Sequence, residues 1–166
     1  LARRGVAATE IVNLNVLIDD YLTSGEYEKL LAYHPQTQVK VDLDDNLLNL
    51  VGSPIHLSKT IMNLVSNAFE AMPDGGLIHI ATENRYIGQP ITGYDQVAEG
   101  DYVTLTVSDM GVGISQADRE RIFEPFYTKK VMGRSGTGLG LAVVWNILMD
   151  HKGYIDVLTS DKGTTF

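Results

Sequence analysis

Apolar residues recur at helical spacing in some stretches of the chain and alternate with polar ones in others, and these two periods divide it into elements. Leu14, Leu17, Ile18, Tyr21 and Leu22 fall at i, i+3, i+4, i+7 and i+8, which predicts an amphipathic helix. Thr23-Ser24-Gly25-Glu26 then offers a capping box for a short helix ending near His34-Pro35. Val39, Val41 and Leu43 alternate with polar residues, as in a half-buried strand. Ser53 reads as an N-cap with Pro54 at the first helical position. The helix it opens places Leu57, Ile61, Leu64, Val65, Ala68 and Met72 on its buried face and stops at Pro73-Asp74-Gly75-Gly76.

Two strands follow, around Ile78 to Arg85 and Tyr102 to Ser108, joined by a loop containing Gly and Pro. A short helix starts after Ser115. Thr128 to Ser135 is rich in Lys, Arg and Gly without a period, and is expected to be a mobile loop. From Leu139 to about Asp150 the chain is apolar nearly all round, which predicts a helix buried on two sides. Tyr154 to Leu158 and Thr164 onward predict a terminal strand pair. The order implies an α+β fold, with helices on one face of a mixed, mainly antiparallel sheet.

With 166 residues and 44% hydrophobic content, the chain can bury the core of one domain. No stretch approaches the roughly eighteen apolar residues of a membrane span, and no signal-peptide pattern opens the chain. A net charge of -8 argues against nucleic acid as a general partner. It also makes binding of a polyanion depend on local dipoles and a divalent cation. The lack of cysteine excludes disulfides and thiolate metal sites, and fits a reducing compartment.

Three motifs carry candidate chemistry. Asn63, Asn67 and Glu70 are spaced i, i+4, i+7 beside the apolar stripe of the third helix. An amide oxygen is a neutral, hard ligand that suits Mg²⁺ when phosphate and water complete the shell. Two solvated asparagines are the plain alternative. Ser108-Asp109-Met110-Gly111-Val112-Gly113-Ile114 follows a strand, where a carboxylate can accept a hydrogen bond from the exocyclic amine of adenine. Guanine would set acceptor against acceptor there, leaving a buried group unpaired. Taken alone, this segment reads better as an Asp-x-Gly turn between strand and helix.

The third motif, Gly136-Thr137-Gly138-Leu139-Gly140-Leu141, stands at the threshold of the apolar helix, where unpaired N–H groups and the positive dipole end receive phosphate. It lacks the Lys-Ser/Thr of a P-loop and the spacing of a dinucleotide fingerprint. Lys129, Lys130 and Arg134 precede it as possible phosphate partners, or as a solvated basic stretch.

With Phe123-Glu124-Pro125-Phe126-Tyr127-Thr128, these motifs stand in the order of the N box, first glycine box, F box and second glycine box. The series resembles the catalytic ATP-binding domain of bacterial sensor histidine kinases, in the GHKL (Bergerat-fold) superfamily, over roughly His56 to Phe166. Gly163-Thr164-Thr165-Phe166 is similar to the closing strand of that family.

The resemblance implies a two-layer α/β sandwich that holds ATP and Mg²⁺ under a flexible lid from about Phe126 to Ser135. It assigns Asn67 and Asn63 to the metal, and counts both with Lys129 as catalytic. It assigns Asp109 to the adenine amine, with Gly111, Gly113 and Ile114 around the base and Thr164 near it, and counts Ala71 among the residues that bind the nucleotide. Phe126, Thr128, Arg134, Gly136, Thr137, Gly138, Leu139, Gly140 and Leu141 then border the nucleotide, and Phe123 and Phe126 are expected to anchor the lid by packing. Residues 1–8 are expected to be the tail of a dimerisation and phosphoacceptor helix, and residues 9–166 the ATP-binding domain with its last strand cut.

The implied reaction is transfer of the γ-phosphate to a histidine on that separate phosphoacceptor domain. The implied setting is a cytoplasmic domain of a homodimeric two-component kinase, with a response-regulator receiver domain as a further partner. His34, His56, His79 and His151 lack the acidic-then-apolar sequel of a phosphoacceptor and read as ordinary structural residues. The domain alone is therefore expected to bind ATP without phosphorylating itself. An ATP-hydrolysing clamp of the gyrase or chaperone kind needs a glutamate where Asn63 stands. A pseudokinase interaction module is opposed by the presence of Asn67, Asp109 and the glycines.

Overall fold

The computed structural model describes residues 8–93, 95–127 and 139–166. In chain order the elements are β1 (Glu10–Val12), α1 (Leu14–Leu22), α2 (Gly25–Tyr33), β2 (Thr37–Asp42), β3 (Leu50–Gly52), α3 (Pro54–Glu70) and β4 (Gly76–Ile87). There follow β5 (Ile91–Thr92), β6 (Gln96–Val97), β7 (Gly100–Asp109), α4 (Gln116–Arg119), α5 (Gly140–Asp150), β8 (Leu158–Ser160) and β9 (Gly163–Thr165).

The main sheet has the order β2-β4-β7-β9-β8. Its β2–β4 pair is parallel, and the other three pairs are antiparallel. Ile78 and Ile80 of β4 and Val107 of β7 point to one face, where they join Ile18 of α1, Ile61, Val65 and Phe69 of α3, and Val144 of α5 in one buried cluster. Each such side chain stabilises the fold by roughly 1.5–3 kcal/mol relative to exposure. The opposite face carries Lys40, Asp42 and His79: His79 Nε2 lies 2.5 Å from Asp42 Oδ2, and Lys40 Nζ lies 3.4 Å from the same oxygen. The result is the expected two-layer α/β sandwich, with its helices on one side.

Asn13, Ser24, Ser53 and Ser115 cap α1, α2, α3 and α4 through their side chains. The expected capping box at Thr23 and Glu26 is not the one formed. Ser24 caps α2 by accepting from Tyr27 N, one residue later, while the Thr23 hydroxyl donates back to Asp19 O and Asp20 O at the end of α1. In α5 only Asn146, Met149 and Asp150 are exposed, in keeping with burial on two sides.

The last hairpin is shorter than expected. Ile155 and Val157 bury their side chains in the core, but pairing begins at Leu158 because the Ser160–Gly163 turn fixes a three-residue register. The β1–β3 ribbon and the β5–β6 hairpin are additional, and both are too short to show a period. Residues 1–7 and the expected mobile loop from Thr128 to Ser135 lie outside the described residues. No helix among the described residues is long and apolar enough to cross a membrane.

Candidate functional site

Helix α3 is the floor of the site. Asn63, Asn67 and Ala71 recur at i, i+4 and i+8, so they form one stripe about 12 Å long, and all three are half-buried. At one end stands Gly140, where an added Cβ would lie 3.6 Å from Asn63 Oδ1. At the other end stands Gly111, where an added Cβ would lie 2.5 Å from Ala71 O and 2.9 Å from Asp109 Oδ1. Gly140 and Gly111, one from each glycine motif, thus approach the two ends of the same stripe. Between them, Asn67 Nδ2 is buried and has no hydrogen-bond partner among the described residues. A buried amide donor left unpaired costs free energy, so this side chain fits a place where a ligand oxygen or water accepts from Nδ2.

Asp109 ends β7 at the far side of the stripe. Its Oδ1 accepts from Gly111 N at 2.8 Å and from Thr164 N at 3.3 Å. Burial raises its carboxyl above the ordinary value of 3.8, and those two N–H bonds oppose the rise without cancelling it. The surrounding backbone is tightly closed. Gly113 has φ +76°, and an added Cβ there would meet Ser160 O at 1.8 Å. Gly163 has φ +140°, and its Cβ would meet the Asp109 carbonyl oxygen at 2.0 Å. Only glycine adopts these conformations in that space.

Ile114 N donates to Thr159 Oγ1 at 2.8 Å, and Met110 N to Met72 Sδ at 3.2 Å, so the loop is pinned to β8 on one side and to the end of α3 on the other. An open cleft of about 320 Å³ borders Asp109 along β8 and β9, with Thr159, Lys162 and Thr165 in its lining. Asn63 and Asn67 are not part of that lining.

Helix α5 opens inside the glycine run, at Gly140. Its N-cap is Leu139, which makes no side-chain capping bond, in contrast to the four helices capped by Asn or Ser. The positive dipole end therefore faces the Asn63 end of the stripe. Among the described residues no group of three His, Cys, Asp or Glu side chains could hold a metal ion. Asparagine amides as the neighbouring donors suit Mg²⁺ only when a ligand's phosphates and water supply the remaining bonds.

The expected residues Asn63, Asn67, Ala71, Asp109, Gly111, Gly113, Ile114, Leu139, Gly140 and Thr164 lie along this floor and its two ends, whereas Leu141, in the first turn of α5, packs against the core. Thr128, Lys129, Lys130, Arg134, Gly136, Thr137 and Gly138 lie outside the described residues. Phe123 packs as expected, its ring 5.1 Å from that of Trp145. Phe126 does not: it is 73% exposed at φ +65°, so its backbone turns the ring outward. A different set of bonds holds this segment. Asp118 is buried and accepts from Ser115 Oγ and Tyr127 OH, and the Arg121 guanidinium lies 4.4 Å from the centre of the Tyr127 ring. Thr159 and Met72 were not among the expected site residues. Their partners lie 45 and 38 residues away in the chain, and no local pattern marks such contacts.

Residues 52–166 match the family model described as histidine kinase-, DNA gyrase B-, and HSP90-like ATPase. The chain belongs to this family. Within it, the chain is a catalytic ATP-binding domain of the sensor histidine kinase type. Sporulation kinase E of Bacillus subtilis (strain 168) is 36% identical over 130 residues, which cover 78% of this chain and 15% of the relative. Sensor histidine kinase ZraS of Escherichia coli (strain K12) is 32% identical over 160 residues, covering 96% of this chain and 30% of the relative. The chain therefore spans less than a third of each of these relatives. The catalytic domain of the histidine kinase ThkA, solved in a nucleotide-free form, superposes with a TM-score of 0.74 at 26% identity, covering 96% of this chain and 92% of that one.

Proposed function

We propose that this domain binds MgATP along the Asn63–Asn67–Ala71 stripe and presents the γ-phosphate to a histidine on a separate phosphoacceptor domain. The observation that carries this reading is that one glycine of each motif approaches an end of the same stripe: Gly140 against Asn63, Gly111 against Ala71. A stripe of about 12 Å suits a ligand with a base at one end and a polyanion at the other.

Asp109 accepts the hydrogen bond of the adenine amine through Oδ2, since Oδ1 is already taken by two backbone N–H groups. Ala71, Gly111, Gly113, Ile114 and Thr164 surround the base. Asn67, with Asn63, provides the protein's ligands to magnesium, and Leu139, Gly140 and Leu141 bring the start of α5 to the phosphates. From the sequence alone, Phe126, Thr128, Lys129, Arg134, Gly136, Thr137 and Gly138 complete the phosphate end. Magnesium, when bound, offsets the charge of the triphosphate.

Phosphoryl transfer asks the protein for positioning and charge neutralisation more than for covalent chemistry. The residues here hold the nucleotide at its base and keep the amides and N–H groups aimed at its phosphates. The neutral side chain of Asn63 beside Gly140 argues against a water-activating base, and so against an ATP-hydrolysing clamp. The parent protein is proposed to be a homodimeric two-component kinase that works with its own phosphoacceptor domain and a response-regulator receiver domain.

Calorimetric titration with ATP, with and without Mg²⁺, tests the reading. Wild-type protein is expected to bind ATP more tightly with Mg²⁺, and Asn67→Ala to lose that Mg²⁺ increment while retaining the metal-free affinity. An Asn67→Ala variant with the full increment removes Asn67 from the metal site.

A further inference from the structure

Thr159 lies on β8, outside every glycine motif, yet its hydroxyl touches both walls of the base end. Oγ1 accepts from Ile114 N at 2.8 Å and lies 2.9 Å from Thr164 Oγ1 and 3.4 Å from Gly163 O. Thr164 is itself buried, and its backbone N–H donates to Asp109 Oδ1. The same carboxylate oxygen accepts from Gly111 N, so hydrogen bonds run from Gly111 through Asp109, Thr164 and Thr159 to Ile114, and the loop backbone from Gly111 to Ile114 closes the circuit.

A hydroxyl has one proton and two lone pairs. One lone pair of Thr159 is taken by the Ile114 N–H. Its proton has two acceptors in reach, and the Thr164 oxygen at 2.9 Å is the better placed, since hydrogen bonds weaken towards 3.4 Å. That choice leaves the proton of the Thr164 hydroxyl to donate elsewhere, next to a carboxylate that can only accept. Adenine presents an amine donor beside a ring-nitrogen acceptor. Guanine presents the reverse, a carbonyl beside a ring N–H.

We propose that Thr159 is a positioning residue for base selectivity: its hydroxyl fixes the Gly113–Ile114 loop and turns the Thr164 hydroxyl into a donor beside Asp109. The inference rests on the ATP-binding reading above and extends it to a residue that does not touch the base.

The test compares wild type with Thr159→Val, which keeps the shape and loses the hydroxyl, and with Thr159→Ser, which keeps the hydroxyl. Affinities for ATP and GTP are measured by calorimetry in Mg²⁺, beside thermal melting of each variant. Thr159→Val is expected to weaken ATP about tenfold and GTP little, narrowing the ratio between them, and Thr159→Ser to restore the wild-type ratio within about twofold. Equal weakening of both nucleotides, an unchanged ratio in the valine variant, or failure of serine to restore it overturns the proposal. Wild-type protein that binds neither nucleotide overturns the ATP reading itself, whereas ATP binding with an unaltered ratio in Thr159→Val sinks only the role of Thr159. Should the valine variant not fold, hydrogen exchange at the Ile114 amide of the wild type decides: slow exchange is expected, and exchange at the rate of an open loop contradicts it.

Discussion

Asp109 carries a stability cost in its burial. Its folded carboxyl holds a proton more tightly than the unfolded one does, because burial penalises the charge more than the Gly111 and Thr164 N–H groups relieve it. For a raised group the stabilising contribution is present below the ordinary value of 3.8 and is lost as pH rises through the folded value. At neutral pH the ionised side chain therefore opposes folding. Asp109→Asn removes that opposition while an amide oxygen still accepts the same two bonds. Thermal melting in the absence of nucleotide is expected to show the variant more stable than wild type at pH 7, with the gap closing as pH falls towards 4. The same variant is expected to bind ATP more weakly and to lose its preference over GTP, read by competition titration. A melting gap independent of pH contradicts the titration account.

At the scale of elements, the start of α3 depends on the end of α5. His151 follows α5, and its Nδ1 lies 2.7 Å from Ile147 O, which makes that nitrogen the donor. Nε2 is then the acceptor for Ser53 N at 3.0 Å, at the N-cap of α3. Gly52 is packed against the same ring: an added Cβ would meet it at 2.8 Å. His151→Ala leaves the Ser53 N–H without its partner and is expected to destabilise the domain by about 1–3 kcal/mol, measured by urea unfolding. Because the clasp sets where α3 begins relative to α5, ATP affinity is expected to fall as well. A variant as stable as wild type removes the clasp from the account.

The outermost strand β2 is tied in a different way. The His79 hydrogen bond, chiefly, and the Lys40 ammonium hold the Asp42 carboxyl below its ordinary value. A lowered group stabilises above its ordinary value, and the contribution disappears as pH falls through the folded one. Asp42→Asn is therefore expected to flatten the acid limb of the melting curve below about pH 4 while leaving the curve at alkaline pH unchanged in shape. A steep acid limb retained in the variant assigns that limb to other groups.

Elements whose signals are local are legible in the sequence. The N-cap at Ser53, the apolar stripe of α3 and the glycine run that opens α5 each depend on neighbours within a few turns. Asn63, Asn67, Asp109 and the glycines could be singled out for the same reason. What escaped the sequence is long-range: the Thr159–Ile114 bond, the His151–Ser53 clasp and the β1–β3 ribbon join segments that no periodicity connects. Phe126 escaped because an aromatic residue reads as core by type, whereas its φ of +65° turns it outward. At the α1–α2 junction both hydroxyls donate back to α1, Thr23 to Asp19 O and Asp20 O and Ser24 to Tyr21 O, and Ser24 alone also accepts from Tyr27 N to cap α2.

In the whole molecule, one face of α3 is proposed to join a base-binding end to a phosphate-binding end. Titration of isotope-labelled protein, followed through its backbone amide signals, tests this most directly when MgATP is compared with adenosine. Adenosine is expected to shift Ala71, Asp109, Gly111, Gly113, Ile114 and Thr164 and to leave the phosphate end unmoved. MgATP is expected to shift these together with Asn63, Asn67, Gly140 and Leu141, with a single affinity for both groups. Separate affinities for the two groups, or MgATP shifts confined to one end of the stripe, contradict the account.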